Sequence, residues 1–295
     1  MTIKGFTSAT ADVNGQRIHY TMAGSGPPLL LLHGFPQTHA MWHGIAPTLA
    51  QHFTTVAADL RGYGASSKPQ GSENYSFREM AADQVALMAH LGFESFHLVG
   101  HDRGGRTSHR AALDHPDAIR SLTLMDIVPT YLLLSDLHQE VARAYYHWFF
   151  LAQPAPMPET MIGHDADAYF EYCLTGWGKG ALDTYDAEAL DQYRTAWRDP
   201  ETIRAMCDDY RAAIDHDMAL DAADLGRRVT CPALVLSGAN GVMAKHYDVG
   251  ATWVNRLSNM QVDSLPGGHF FPDQYPSETA DKILEFLLKA QPDAA

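Results

Sequence analysis

HLVGHDRGGR, residues 97–106, is the stretch on which the fold turns. An apolar run, Phe96–Val99, enters Gly100-His101-Asp102-Arg103-Gly104, and a helical pattern follows to Asp114. A strand, a tight turn and a helix in this order make the G-x-X-x-G arrangement of a nucleophile elbow, here with an aspartate at its centre. Glycines suit such a turn because it is strained and its neighbours must lack bulk. Aspartate is also a common helix N-cap, so the bare pattern leaves a capping role for Asp102 beside a catalytic one. A carboxylate at this position implies chemistry other than acyl transfer: it can attack an sp³ carbon, displace a leaving group and remain as an alkyl ester.

Outward from the elbow, short apolar runs recur at Leu29–Leu32 in PPLLLLHG, at Thr54–Ala58, at Ser121–Met125 and at Ala233–Leu236. Continuous runs of this length read as strands buried on both faces. Gln16–Ala23 mixes polar and apolar residues and reads as a strand near a sheet edge. Helical patterns at Ser76–Leu91 and Gly104–Asp114 lie between the early runs. The alternation predicts a mostly parallel sheet with helices on both faces. It stops near Pro129. From there to about Asp217 the chain offers only aromatic-rich helical segments, broken by QPAPMPE at Gln153–Glu159. TCPALVLSG then resumes the sheet, and Ser277–Leu288 is a closing helix. The expected division is a core of residues 1–128 and 218–295 with an inserted helical cap of residues 129–217. Together with the elbow this is the α/β-hydrolase architecture.

The 295 residues are 46% hydrophobic and 19% charged, as in ordinary globular proteins. A net charge of −14 argues against nucleic acid and anionic membranes as partners. An anionic substrate would therefore need a local cationic cluster working against the overall field. Cys173, Cys207 and Cys231 are odd in number and contain no C-x-x-C, which fits a reducing compartment and neither a disulfide frame nor a zinc site. The N-terminal residues do not have the pattern of a signal peptide, and no apolar run is long enough to span a bilayer. A cytoplasmic protein is expected.

An alkyl ester on Asp102 needs a base to activate water. His269, in SLPGGHFF near the C-terminus, suits that role, since imidazole titrates near neutrality. Asp126, directly after the strand SLTLM, is the expected orienting acid. The alternative position after ALVLSG offers Asn240, which carries no charge, and then Asp248. Asp102, Asp126 and His269 keep the chain order nucleophile, acid, histidine. HGFPQTHAMW, residues 33–42, follows a core strand, so the Phe35 N–H can join that of Arg103 in an oxyanion hole. DLRGYGAS, residues 59–66, reads as a structural support for this region.

At this point the sequence resembles the haloacetate (fluoroacetate) dehalogenases over nearly its whole length. The resemblance is carried by HGFPQTHAMW, DLRGYG, GHDRGGR, LMDIVPT, YYHWFFLAQPAPMPE, DDYRAA and PGGHFF. It implies an eight-stranded sheet, a homodimer, a small anionic 2-haloacid as substrate and no metal or organic cofactor. It also implies that Arg103 and Arg106 hold the substrate carboxylate. The spacing agrees, because residues at i and i+3 share a helix face and a helix N-terminus favours anions. Two buried unpaired cations are costly, so an anion between them is expected, unless a cap Asp or Glu neutralises them. His147, Trp148 and Tyr210 match the family's halide pocket, and Trp177 matches a cap tryptophan that shapes it. Aromatic residues filling a cap core would give the same pattern.

Two rival readings remain from the sequence. An epoxide hydrolase would share Asp102 and His269, but a neutral epoxide gives two buried arginines nothing to pair with. A non-catalytic small-molecule receptor on the same fold is the other.

Overall fold

Leu29, Leu30, Leu31 and Leu32 are fully buried at the middle of an eight-stranded sheet, as a strand covered on both faces requires. The computed structural model describes residues 3–178 and 180–290. Its strands are β1 (Thr7–Val13), β2 (Gln16–Ala23), β3 (Pro28–Leu32), β4 (Thr54–Ala58), β5 (Phe96–His101), β6 (Ile119–Met125), β7 (Ala233–Gly238) and β8 (Met260–Leu265). Their spatial order is β1-β2-β4-β3-β5-β6-β7-β8. β1 with β2 and β2 with β4 are antiparallel; every other pairing is parallel.

Two strands escape the apolar-run reading. β1 and β2 are joined at Asn14-Gly15, both at positive φ, the Asn-Gly pairing that two-residue hairpins favour. β8, MQVDSL, is largely exposed and so shows no continuous apolar run. Helix positions follow their chemistry. Ser76 Oγ accepts from the Glu79 N–H and caps the Phe77–His90 helix. The closing helix is Pro276–Lys289, with proline in its first turn.

The order of strands decides where a site can form. From β3 the chain moves to β4 on one side, and from β4 it returns to β5 on the other side of β3. Crossovers that leave in opposite directions open a crevice at the carboxyl ends of the two strands. His33, Gly34 and Phe35 leave β3 there, and Asp102 leaves β5 beside them. Between β6 and β7 the chain is helical, from Thr130–Ser135 through Pro200–Ala212 to Met218–Ala223, with no strand among the described residues. One buried apolar cluster runs from the sheet into this segment and includes Trp148, Phe170, Trp197 and Tyr210. No described helix is long and apolar enough to cross a membrane.

Candidate active site

Asp102 stands between β5 and the Arg103–Asp114 helix at φ 49° and ψ −116°, a conformation that an L-residue adopts only under constraint. Its side chain does not cap that helix. It is turned toward β3, where the Phe35 N–H donates to Oδ1 at 2.9 Å. Two glycines permit this approach. A Cβ on Gly34 would stand 2.4 Å from the Asp102 Cβ, and one on Gly104 would stand 2.3 Å from the His33 carbonyl oxygen. The elbow is therefore a close contact of two strand ends, held by a backbone donor.

His269 lies on the far side of the carboxylate. Its Nδ1 is 2.7 Å from Asp126 Oδ2, and its Nε2 is 3.6 Å from Asp102 Oδ2. Asp126 follows β6, also at positive φ, and its Oδ1 accepts from the Gly238 N–H at 2.9 Å. An acceptor-only carboxylate at Nδ1 places a proton on that nitrogen and turns Nε2 toward Asp102. Asp248, the other candidate acid, instead accepts from the Ala251 N–H at its own helix start. Burial by itself would depress His269, but the nearby Asp102 carboxylate and the hydrogen-bonded Asp126 carboxylate outweigh this and lift its pKa to about 9. Burial would likewise raise Asp102, yet His269, His101 and Arg103 hold it well below the usual carboxylate range.

Arg103 corrects one expectation. It is not an unpaired cation: its Nε donates to Asp209 Oδ2 at 2.9 Å, and Nη2 donates to Asp209 Oδ1 and to the Asp209 carbonyl. Asp209 belongs to the Pro200–Ala212 helix, so a residue of the helical segment neutralises this arginine. Burial pushes the Asp209 carboxyl upward, but the guanidinium fork and the Tyr63 hydroxyl at 2.6 Å put three donors on its two oxygens, and we read it as the anion. Arg106 has no carboxylate partner among the described residues. Its Nη1 donates to the Val128 carbonyl and Thr130 Oγ1, both at 3.0 Å. Burial lowers its pKa, with Arg103 adding to the effect. Arg103 Nη1 and Arg106 Nε are buried without a hydrogen-bond partner in the protein.

Tyr210 and Trp148 join the arginines to the nucleophile. The Arg103 guanidinium lies 4.3 Å from the Tyr210 ring centre, and that of Arg106 lies 4.8 Å from the Trp148 ring centre. The Phe35 ring touches those of Tyr210, His147 and Trp177, at 5.2, 6.0 and 6.0 Å between centres. Trp177 in turn stands 3.8 Å from His147 and 6.3 Å from His269, and its carbonyl accepts from the His269 N–H. The side chains of Phe35, Asp102, Arg103, Arg106, Asp126, His147, Trp148, Trp177, Tyr210 and His269 are all buried, and the contacts above, with that of Trp148 on Tyr210, connect them, whereas Asn240 and Asp248 are exposed. Within the buried set, His147 Nδ1, Trp148 Nε1 and Tyr210 Oη have no hydrogen-bond partner in the protein. Burial keeps the His147 imidazole neutral and the Tyr210 phenol protonated.

A surface cleft of about 430 Å³, lined by His19, His39, Asp59, Asp191, Thr195 and Asp199 among others, includes none of these residues. His19, His39 and Asp59 bring atoms that could ligate a metal within 4.8 Å of one another. Asp59, however, spends both oxygens on the Nδ1 atoms of His19 and His39 and on the N–H groups of His39 and Ala65. This is a hydrogen-bonded knot in the DLRGYGAS loop.

The sequence profile of the alpha/beta hydrolase fold matches residues 27–276. The chain belongs to the α/β hydrolase fold family. Within it, the chain is 55% identical to a protein of Burkholderia sp named fluoroacetate dehalogenase, over 98% of this chain and 96% of that one. It is 31% identical to a soluble epoxide hydrolase of Corynebacterium sp. (strain C12), over 95% of this chain and 97% of the other. Among solved structures, an alpha/beta hydrolase from Nostoc sp PCC 7120 superposes with a TM-score of 0.95 at 48% identity, covering 97% of this chain and 99% of that one.

For this α/β hydrolase, sequence reasoning passed over several residues that complete the site. Asp209 is one, although the demand of Arg103 for a counter-charge and the acidic pair in DDYRAA both pointed to it. Tyr63 and Thr130 are others, each lending a hydroxyl to the arginine network. His101 is a fourth: its Nε2 lies 2.8 Å from the His269 carbonyl oxygen and ties that loop to the elbow.

Proposed function

We propose that this α/β hydrolase is a hydrolytic dehalogenase of small 2-haloacids, haloacetate first, working through an ester on Asp102. The carrying observation is the set of buried polar atoms without hydrogen-bond partners in the protein, Arg103 Nη1, Arg106 Nε, His147 Nδ1, Trp148 Nε1 and Tyr210 Oη, on side chains whose ring contacts lead to Phe35, the residue that holds Asp102. Such groups are costly to bury unless something pairs with them. A small molecule with a carboxylate at one end and a compact electronegative leaving group on the next carbon matches that inventory. The 55% identity to the Burkholderia fluoroacetate dehalogenase supports the same reading. A neutral epoxide fits less well, because it leaves Arg106 without an anion.

In the first step Asp102 Oδ1 stays on the Phe35 N–H, so Oδ2 carries the lone pair that attacks the α-carbon. Arg106 Nε and Arg103 Nη1 hold the carboxylate, and halide leaves toward His147, Trp148 and Tyr210. Fluoride, compact and a poor leaving group, gains most from donors focused where charge develops. Esterification then removes the Asp102 charge. That charge helps keep His269 protonated, so its loss lets His269 return toward a neutral base. His269, oriented by Asp126, deprotonates water that attacks the ester carbonyl, with the Phe35 N–H, joined by that of Arg103, on the oxyanion. Glycolate leaves and Asp102 is regenerated.

Residues 129–217 act here as a cap that supplies the leaving-group donors and Asp209. Three free cysteines among the described residues support work in a reducing, cytoplasmic setting. A homodimer belongs to the same reading and rests on the family resemblance. The deciding experiment measures halide release from fluoro-, chloro- and bromoacetate, with a single turnover in heavy-oxygen water. Label should enter the Asp102 carboxylate before it reaches glycolate. Label appearing first in product would exclude the ester route.

A further inference from the structure

We infer that the same site opens small α,β-epoxy acids, of which glycidate (oxirane-2-carboxylate) is the simplest, and converts them to the corresponding dihydroxy acids. The inference rests on the proposed carboxylate clamp and nucleophile, and goes beyond dehalogenation. A haloacetate and glycidate share one arrangement: a carboxylate, an adjacent electrophilic carbon and a compact electronegative atom on that carbon. With the carboxylate on Arg106 Nε and Arg103 Nη1, the ring oxygen takes the leaving-group position beside His147 Nδ1, Trp148 Nε1 and Tyr210 Oη, all buried without partners. The objection to a neutral epoxide was its lack of an anion for Arg106. An epoxy acid carries that anion itself.

The oxygen leaving group demands more than a halide does. Halide departs as an anion, whereas a ring-opened alkoxide needs a proton. Tyr210 can supply it, because its hydroxyl has no partner in the protein and burial keeps it protonated. In the step, an Asp102 Oδ2 lone pair forms the bond to C2. The C2–O bond breaks, its electrons stay on the ring oxygen, and that oxygen takes the Tyr210 proton. Water then adds to the Asp102 ester carbonyl, giving one proton to His269. The collapsing intermediate expels the C2 oxygen, which takes that proton back. The second water proton, left on the regenerated Asp102 acid, returns through His269 and solvent to Tyr210. Glycidate plus one water gives glycerate, with no oxidant or further reactant.

The test runs chloroacetate, racemic glycidate and 1,2-epoxypropane in parallel on the intact protein, with halide and diol measured directly. Glycerate should form, and kcat/KM for 1,2-epoxypropane should be at least about a hundredfold lower, the discrimination expected of two charge-assisted bonds. Tyr210→Phe should slow both acids, but glycidate at least about tenfold more, since only the alkoxide needs a general acid. Chloroacetate turnover without glycerate would overturn this inference and leave the dehalogenase reading standing. No turnover of either acid would overturn both. Equal rates on glycidate and 1,2-epoxypropane, or an equal Tyr210→Phe loss on both acids, would overturn the inference as well.

Discussion

The Asp209 carboxylate holds Arg103 along one edge of its guanidinium, Nε to Oδ2 at 2.9 Å, and leaves Nη1 as the arginine's remaining donor. The pair is fully buried and joins the Pro200–Ala212 helix to the elbow. It converts a site with two like charges into one with a single uncompensated cation, Arg106. That suits one carboxylate better than two.

Removing Asp209 should therefore do two separable things. Asp209→Ala leaves a buried arginine unpaired and should cost about 3–5 kcal/mol of stability. Asp209→Asn keeps the volume and part of the hydrogen bonding, and should raise KM for haloacetate through a misplaced Nη1. Denaturant melts and steady-state kinetics on the two variants check this. A fully stable, fully active Asp209→Ala protein would contradict it.

His269→Ala should release about one halide per protein and then stop, because attack on the α-carbon does not need the imidazole while water activation does. Multiple turnover should fall at least about a thousandfold, as losses of an essential base do. Intact-mass spectrometry should find a carboxymethyl group on the peptide bearing Asp102. Asp126→Asn should behave in the same direction with a smaller loss, since it removes the charge that orients His269 but keeps a polar group at 2.7 Å from its Nδ1.

Stability should decline on the alkaline side. His269 has a folded-state pKa raised to about 9, above its ordinary value of 6.5. A group whose pKa rises on folding stabilises fully below the unfolded value, and that contribution is lost as pH climbs through the folded value. Between pH 6.5 and 9 the loss should be on the order of 3 kcal/mol. Asp102→Asn, which removes one of the two carboxylates holding the proton, should flatten the change in melting temperature over that range. An unaltered slope in the variant would show that another group titrates.

Gly34→Ala tests the elbow sterically. The added Cβ would meet the Asp102 Cβ at 2.4 Å and Oδ1 at 2.7 Å. Overpacking of this kind costs about 1–3 kcal/mol. Halide release should fall far more than stability does, because the displaced atoms include the nucleophile itself. A folded variant with normal halide release would show that Asp102 Oδ1 can move without consequence.

The elements legible in the chain are those whose sequence has a local signature. Leu29–Leu32 and Ala233–Leu236 announce doubly covered strands because every residue there must be apolar. The elbow is legible because its turn requires glycines at fixed offsets from Asp102. β8 is not, since an exposed edge strand places no demand on consecutive side chains. β1 had a local signal in Asn14-Gly15 that the apolar-run criterion passes over.

Local chain patterns specify the chemical inventory and its order: an aspartate at a strained strand end, a second acid after the next strand, a late histidine, and two arginines three residues apart. Packing adds the sharing of charge that chain order leaves open, above all at Arg103. Asp209 is 106 residues from Arg103 and His269 is 143 from Asp126. Strand position and chain order already single out Asp126 for His269, whereas no rule of that kind selects Asp209 for Arg103. Burial made the difference: in water each ion would be satisfied by solvent, but inside the protein each must find a counter-charge or donor, and for Arg103 only the packing of the helical segment over the sheet says which one it finds.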